Sequence, residues 1–376
     1  MALNQINIDL LLVILALFIG GFIVLFSIPP IVRIAKAKNL VDKFGERKIH
    51  KKEVPSLGGV AIFMGVILST ILSTNGYSFE VLKYIIASIM IMFFIGLKDD
   101  IMIISAKKKF ALQIIAALIL IFLGNIRITN FQGLFGINEI NYVFSVFITI
   151  FLIAIIINAF NFIDGIDGLA SGIAFLSAVV FGTWFYLSGY IQYSILCFAL
   201  AGSLASFFYY NVFGKKNKLF MGDSGSLIIG TILSVATIQF IEYNNFKSEY
   251  YIYAAPAVAF GILIVPMIDL LRVFFIRIMH GRSPFTPDNS HLHHCLLRIN
   301  KVHLTVTLIT IFINIVFIVL AFGLSFFETN VNLLLGLLFL TGIVGSSIPY
   351  FMLPRQKKII LKYIYNRLRN VASLFY

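Results

Sequence analysis

The chain has 376 residues, 60% of them apolar and only 12% charged, where a soluble domain carries about 25% charge. That balance excludes an ordinary water-soluble enzyme. Its two cysteines, Cys197 and Cys295, fit no disulfide or metal spacing.

Apolar runs close to 20 residues recur from end to end, the length that crosses a hydrocarbon core of about 30 Å. Inside lipid every backbone polar group is paired within the segment or within a closed barrel. Barrel strands alternate polar and apolar over about 10 residues. These runs are continuous, so the fold class expected is all-α, a polytopic membrane protein of ten or eleven transmembrane helices. In chain order the spans fall near residues 8–30, 57–74, 81–96, 110–124, 142–160, 172–188, 191–211, 226–243, 252–276, 304–323 and 332–353. The short connection at Ser188–Tyr190 leaves open whether two of them fuse.

The first run has no basic residue before it and no small-residue cleavage site after it, and reads as an anchor rather than a removed signal peptide. No repeat or long hydrophilic insert interrupts the series. One transmembrane domain over 1–353 is expected, followed by a basic tail, 354–376. In that tail Ile359, Ile360, Tyr363 and Ile364 recur at helical spacing, which suits a helix lying along the inner leaflet.

Eleven spans sort the loops onto two faces, and 26 of the 29 basic residues fall on one of them. The other keeps Lys83, Arg127 and Lys247. By the positive-inside rule the basic face is cytoplasmic, with the N-terminus outside and the C-terminus inside. The net charge of +13 is therefore mainly topogenic and no sign of nucleic-acid binding. It also favours anionic lipid and phosphorylated substrates.

Acidic residues are scarce, and their placement is informative. Asp99 and Asp100 close the segment Gly96-Leu97-Lys98-Asp99-Asp100. Asp164 and Asp167 lie in Asn158-Ala159-Phe160-Asn161-Phe162-Ile163-Asp164-Gly165-Ile166-Asp167-Gly168-Leu169. Asp223 lies in Phe220-Met221-Gly222-Asp223-Ser224-Gly225-Ser226, and Asp288 precedes His291, Leu292, His293 and His294. Lysine and arginine alone set the topology, yet all four clusters land on the basic face. One polar site assembled from several loops is the expectation.

Carboxylates with an asparagine are hard oxygen ligands suited to Mg²⁺ bridging substrate phosphates. The Gly-Asp-Ser-Gly turn admits close approach of a ligand to the backbone. Lys107–Lys109 and Arg282 supply charge for oxyanions. Together these describe phosphoryl-group transfer, where positioning and charge stabilisation dominate. Were Asp164 and Asp167 helical, their spacing would put them on one face.

Each piece taken alone has a structural reading. An Asp-Asp pair at a helix end serves as a solvated cap. Gly-Asp-Ser-Gly is a common turn. Asp269 and Arg272 pair with each other at i, i+3 within an apolar helix. Phe220 reads as a buried or interfacial aromatic, and the histidine spacing matches no standard zinc pattern. It is their joint occurrence on one face that favours a site.

The ordered set Pro55-Ser56-Leu57-Gly58-Gly59, Gly96 to Asp100, Asn158 to Leu169, Phe220 to Ser226 and His291 to His294 resembles the polyprenyl-phosphate N-acetylhexosamine-1-phosphate transferases, the superfamily of WecA, TagO and MraY. The likeness runs from Lys48 to about Leu297. It implies a bacterial inner-membrane enzyme with a cytoplasmic active site and ten or eleven helices. The implied reaction moves a sugar-1-phosphate from a UDP-N-acetylhexosamine to undecaprenyl phosphate, using Mg²⁺ or Mn²⁺, and releases UMP. The product starts a lipid-linked surface glycan. A homodimer is compatible with the resemblance.

By the same resemblance Asp223 is a metal ligand and Asn161 a second one. Asp99 and Asp100 form the acidic pair near the phosphates, with Asp99 the candidate for deprotonating or orienting the lipid phosphate. Asp164 and Asp167 line the nucleotide pocket, with Phe220 beside the uracil. Lys52 and Lys109 hold phosphate groups. Arg282, His291, His293 and His294 lie near the sugar and diphosphate. The His-Leu-His-His run and Arg47-Lys48-Ile49-His50 resemble the WecA/TagO branch, which implies UDP-N-acetylglucosamine rather than UDP-MurNAc-pentapeptide. Asn289 departs from that branch, where an arginine is usual. The alternatives are the MraY-type reaction, a secondary transporter and a scaffold. Transport is disfavoured by the acids clustering at helix ends and by the lack of a repeat.

Overall fold

The computed structural model describes residues 2–38, 40, 54–74, 79–244, 249–279, 281 and 291–352. Lys52, Arg282, Asp288, Asn289, the Arg47–His50 run and the basic tail lie outside the described residues. Among the described residues the chain is helical, with one isolated bridge between Asn130 and Glu139 and no strand.

The helices follow in chain order as α1 (Ala2–Ala37), α2 (Gly58–Ser73), α3 (Leu82–Ile101), α4 (Ala106–Leu118), α5 (Tyr142–Ile163), α6 (Leu169–Leu187) and α7 (Ile191–Phe208). They continue as α8 (Gly222–Glu242), α9 (Ala255–Ile262), α10 (Ile264–Met279), α11 (Leu292–Ile299), α12 (His303–Phe326) and α13 (Val331–Met352). One-turn π segments, Ile119–Leu123 and Tyr209–Phe213, extend α4 and α7.

Ten of the eleven expected spans fall on single helices, and the span 252–276 on a bent pair. Seven are long and apolar enough to cross a bilayer: α1 from Ile8, α5, α6, α7 with its extension, α8, α12 and α13. The bent pair α9–α10 makes an eighth. The other three carry the polar chemistry or are short. Helix α2 has 16 residues, α3 ends in Lys98-Asp99-Asp100, and α4 opens on three lysines. Ser188–Tyr190 does separate two helices, turning through Gly189 at φ +81°.

The expected span 252–276 is continuous in the sequence reading but breaks at Leu263, where α9 and α10 meet at 81°. Pro266 has no N–H to offer the carbonyl of Ile262, four residues back. That orphan carbonyl accepts instead from Asn314 Nδ2 of α12 at 3.1 Å and Ser177 Oγ of α6 at 3.3 Å. Neighbouring polar side chains thus satisfy the freed backbone group within the bundle.

Helix α8 is the axis of the bundle, buried along its length and surrounded by α2, α3, α5, α6, α7 and α9. Lipid gives little hydrophobic drive between helices, so small residues that admit close contact hold such a bundle together. Gly230 lies against Ile157 of α5, while Gly202 of α7 meets the Leu17 carbonyl of α1. Thr231, Ser234 and Thr237 return their hydroxyls to carbonyls one turn back, leaving none unsatisfied. The outer surface is apolar, with Phe18, Phe22, Phe26, Phe94, Phe147 and Phe312 exposed, as lipid contact requires. Chain alternation brings the ends of α3, α5, α7 and α10 to the starts of α2, α4, α6, α8 and α12. The site forms at that end.

Candidate active site

The start of α8 organises the site. Gly222 takes φ +72°, open to glycine, and turns the chain into the helix. The first-turn N–H groups have no partner within α8, and Asp100 of α3 supplies one. Its Oδ1 accepts from Asp223 N at 2.7 Å, and its Oδ2 from Ser224 N at 3.1 Å and Ser224 Oγ at 2.6 Å. So close a crossing requires Gly96 one turn earlier, where a Cβ would collide with the Ser224 backbone. The Asp-Asp pair is therefore no solvated cap of its own helix; Asp100 caps another. The Pro-Ser-Leu-Gly-Gly segment completes the frame. Gly58 N and Gly59 N donate to the carbonyls of Phe220 and Met221, both at 2.9 Å, and Phe220 N donates to Pro55 O at 2.8 Å.

Asp99, the neighbour of Asp100, faces the other way. Its Oδ1 accepts from Ile104 N at 2.5 Å, and its Oδ2 lies 2.8 Å from Lys109 Nζ. The same ammonium bonds Asp223 Oδ2. Asp223 Oδ1 accepts from Asn161 Nδ2 at 2.9 Å, which also reaches Ser226 Oγ at 2.9 Å. Lys107 and Lys108 are exposed and take no part. Beside this cluster a cavity of about 130 Å³ opens between α4 and α5, lined by Lys109, Asn161, Phe162, Gln113, Asn158 and Phe110 among others. Gln113 stands in no motif, and Asn158 opens the Asn158–Leu169 motif without an assigned role; the Asn158 amide donates to Gln113 Oε1 at 2.9 Å and ties the two helices at the cavity wall.

Asp164 and Asp167 are not helical. They occupy the turn between α5 and α6, and the shared-face geometry does not arise. Gly168, at φ +79°, closes that turn, its N–H donating to Asn211 Oδ1 at 2.6 Å. Burial, followed by the charges of Asp223, Asp100 and Asp167, pushes the Asp164 carboxyl up to about 8. Asp167 Oδ2 is held by Lys218 Nζ at 2.6 Å and lies 3.3 Å from His303 Nδ1. Neither basic partner was expected. Lys218 and His303 stand in no motif, and the fold alone brings them to Asp167.

The histidines close the site from α11. His293 is buried with its ring against Gly165 of the turn, where a Cβ would collide with it. Burial, with its histidine neighbours, pushes His293 down to about 3, so the ring stays neutral. His294 packs on His293 with ring centroids 4.2 Å apart. His291 is engaged by Asp269, which pairs with Arg272 at 3.0 Å as the spacing predicts. Phe220 is half-buried and joins the frame through its backbone.

Among the described residues no three His, Cys, Asp or Glu side chains form a ready-made metal site. The donor chemistry nonetheless suits Mg²⁺, which is commonly held by one or two carboxylates plus substrate phosphates. Asp99 and Asp223 converge on a point already held by positive charge, the Lys109 ammonium. Burial raises Asp164 most, and the crowding of Asp223, Asp100 and Asp167 that adds to it is the kind of excess negative charge a divalent cation offsets.

The fold and this cluster define a polytopic membrane protein with a charged, carboxylate-rich site at one end of its helices. The model of "Glycosyl transferase family 4" matches residues 82–241, from α3 through α8. An undecaprenyl-phosphate alpha-N-acetylglucosaminyl 1-phosphate transferase of Pasteurella multocida (strain Pm70) is 35% identical over 297 residues, 77% of this chain and 79% of that protein. Its namesake from Haemophilus influenzae is 32% identical over 289 residues, 75% and 77% of the two chains. That of Escherichia coli (strain K12) is 29% identical over 277 residues, 71% of each. The chain belongs to glycosyl transferase family 4.

Proposed function

We propose that the protein transfers N-acetylglucosamine-1-phosphate from UDP-N-acetylglucosamine to undecaprenyl phosphate. The observation that carries this reading is the Asp99–Lys109–Asp223 cluster at the mouth of α8, in a chain similar to enzymes named for that transfer. The basic bias of the site end, with Lys36, Lys98, Lys107, Lys108, Lys215 and Lys216 there, supports a cytoplasmic orientation in a bacterial inner membrane.

In the proposed step an oxygen of the lipid phosphate attacks the β-phosphorus of the UDP-sugar. The bond from that phosphorus to the bridging oxygen breaks, and UMP leaves with the bridging oxygen. Asp223 would hold Mg²⁺, joined by Asn161 through its amide oxygen once the amide that donates to Asp223 Oδ1 turns over, and the ion would supply charge neutralisation of the diphosphate and the leaving group. Lys109 pairs with the incoming phosphates as Asp99 and Asp223 turn to their own partners. Asp99 orients the lipid phosphate. The small cavity beside Lys109 and Phe110 is where the headgroup would enter. Asp100 takes up the first α8 amides and so fixes the helix start that carries Asp223, and Asp164, protonated below about 8, donates a hydrogen bond on the nucleotide side. Asp167, with Lys218, lines the same side.

Purified protein with undecaprenyl phosphate, Mg²⁺ and sugar-labelled UDP-N-acetylglucosamine tests the reading. Labelled lipid that disappears with EDTA supports it. Label only from UDP-MurNAc-pentapeptide would move the chain to the MraY-type reaction. No product from any UDP-sugar, from folded protein, would sink it.

A further inference from the structure

Asp269 lies on α10, buried at 2% exposure, outside the cluster of acids described above. Its carboxylate gathers three partners. Oδ1 accepts from Arg272 Nη2 at 3.0 Å and from Leu292 N at 2.7 Å, and Oδ2 lies 2.9 Å from His291 Nδ1. Leu292 is the first residue of α11, and His291, at its cap position, provides no side-chain cap of its own. Asp269 thus caps α11 from a different helix, as Asp100 caps α8.

The state of the His291 ring follows from its two partners. A carboxylate only accepts, so Nδ1 carries the hydrogen. A guanidinium only donates, and Arg277 Nη2 stands 3.4 Å from Nε2, so Nε2 is bare. One neutral tautomer satisfies both neighbours. In the other tautomer or the imidazolium, Nε2–H would face the Arg277 donor.

That ring is a strut into the site. It packs on Phe162, the neighbour of Asn161, with centroids 5.6 Å apart, and on His293 at 5.8 Å. His293 in turn lies on Gly165, between Asp164 and Asp167. Arg277 also stands over the Phe162 ring, 5.8 Å from its centroid.

We infer that Asp269 is a positioning residue, acting through His291: it fixes the Nδ1–H tautomer and so seats α11 against the turn that carries Asp164 and Asp167, with Arg277 held over Phe162. The activity readout of this inference rests on the transfer reaction proposed above; its structural readout does not.

The test is a double-mutant cycle. In Asp269→Asn the Oδ1 atom still accepts from Arg272 and Leu292, while the amide can only donate to His291 and swaps its tautomer. Asp269→Asn should lower kcat at least tenfold, and in a His291→Ala background the same change should alter kcat less than twofold. Losses that multiply in the double variant would overturn the inference, because Asp269 would then act through Arg272 or through folding alone. Should Asp269→Asn fail to fold, ¹⁵N solid-state NMR of histidine-labelled wild-type protein in lipid decides instead. The signals lost in His291→Ala should show a protonated Nδ1 and a bare Nε2. A protonated Nε2 would overturn the inference. Wild-type protein inactive with every UDP-sugar would sink the proposed reaction and leave the NMR result to stand alone.

Discussion

Asp100 and Ser224 form a bidentate lock: one carboxylate oxygen receives both the amide and the hydroxyl of Ser224, at 3.1 and 2.6 Å, while the other takes the Asp223 amide. The lock separates two adjacent, chemically identical acids. Asp100 spends its acceptors holding α8, and Asp99 turns to Lys109. Asp99→Asn should therefore reduce turnover on the order of 100-fold while melting like wild type in detergent. Asp100→Asn should lower the melting temperature as well, since an amide cannot accept on both sides. Equal thermal stability of the two variants would contradict this division.

Asp223 touches Lys109 and Asn161 and sits where the proposed Mg²⁺ would bind. Asp223→Asn should lose nearly all turnover at any Mg²⁺ concentration and stay folded in the membrane. Activity restored simply by more Mg²⁺ would reduce it to a contributor to affinity, and unchanged activity would remove it as a ligand.

Three consecutive lysines differ in what they meet. Lys109 bridges Asp99 and Asp223, and Lys107 is exposed. Lys109→Ala should cost at least tenfold more in kcat/KM than Lys107→Ala. Steady-state kinetics over both substrates would show it, and the reverse order would mean the α4 register is wrong.

Asp164 gives a pH signature. Its carboxyl is raised from the usual value near 4 to about 8 by burial and neighbouring charge. Between those values the folded state holds a proton that the unfolded chain has released, so stability falls as pH rises from about 4 to 8. Asp164→Asn removes this liability. The variant should melt several degrees above wild type at pH 8 without Mg²⁺, with the gap closing towards pH 4. A gap independent of pH would assign the gain to packing alone.

Much of this was legible in the sequence because membrane helices announce themselves by continuous apolarity, and scarce acids in such a chain stand out. The Asp269–Arg272 pair was legible too, since i, i+3 spacing on a helix forces the contact. The bend at Leu263 was not, because Pro266 sits inside a uniformly apolar run and the residues that relieve it, Asn314 and Ser177, come from distant helices. Nor could the sequence tell Asp99 from Asp100, whose roles depend on which side of α3 meets α8. Asp164 and Asp167 keep helical spacing, but Gly168, at φ +79°, lets the chain turn instead. Lys218 reaches Asp167 across 51 positions, a distance that no local pattern encodes.

The central claim is transfer of a phosphosugar, and the phosphorus atom reports it directly. UDP-N-acetylglucosamine labelled with ³²P at the β-position, incubated with the protein, undecaprenyl phosphate and Mg²⁺, should pass its label to the lipid fraction and release unlabelled UMP. Lipid that acquires the sugar while the ³²P stays with UDP would contradict the account, because the enzyme would then cleave the glycosidic bond and not the diphosphate.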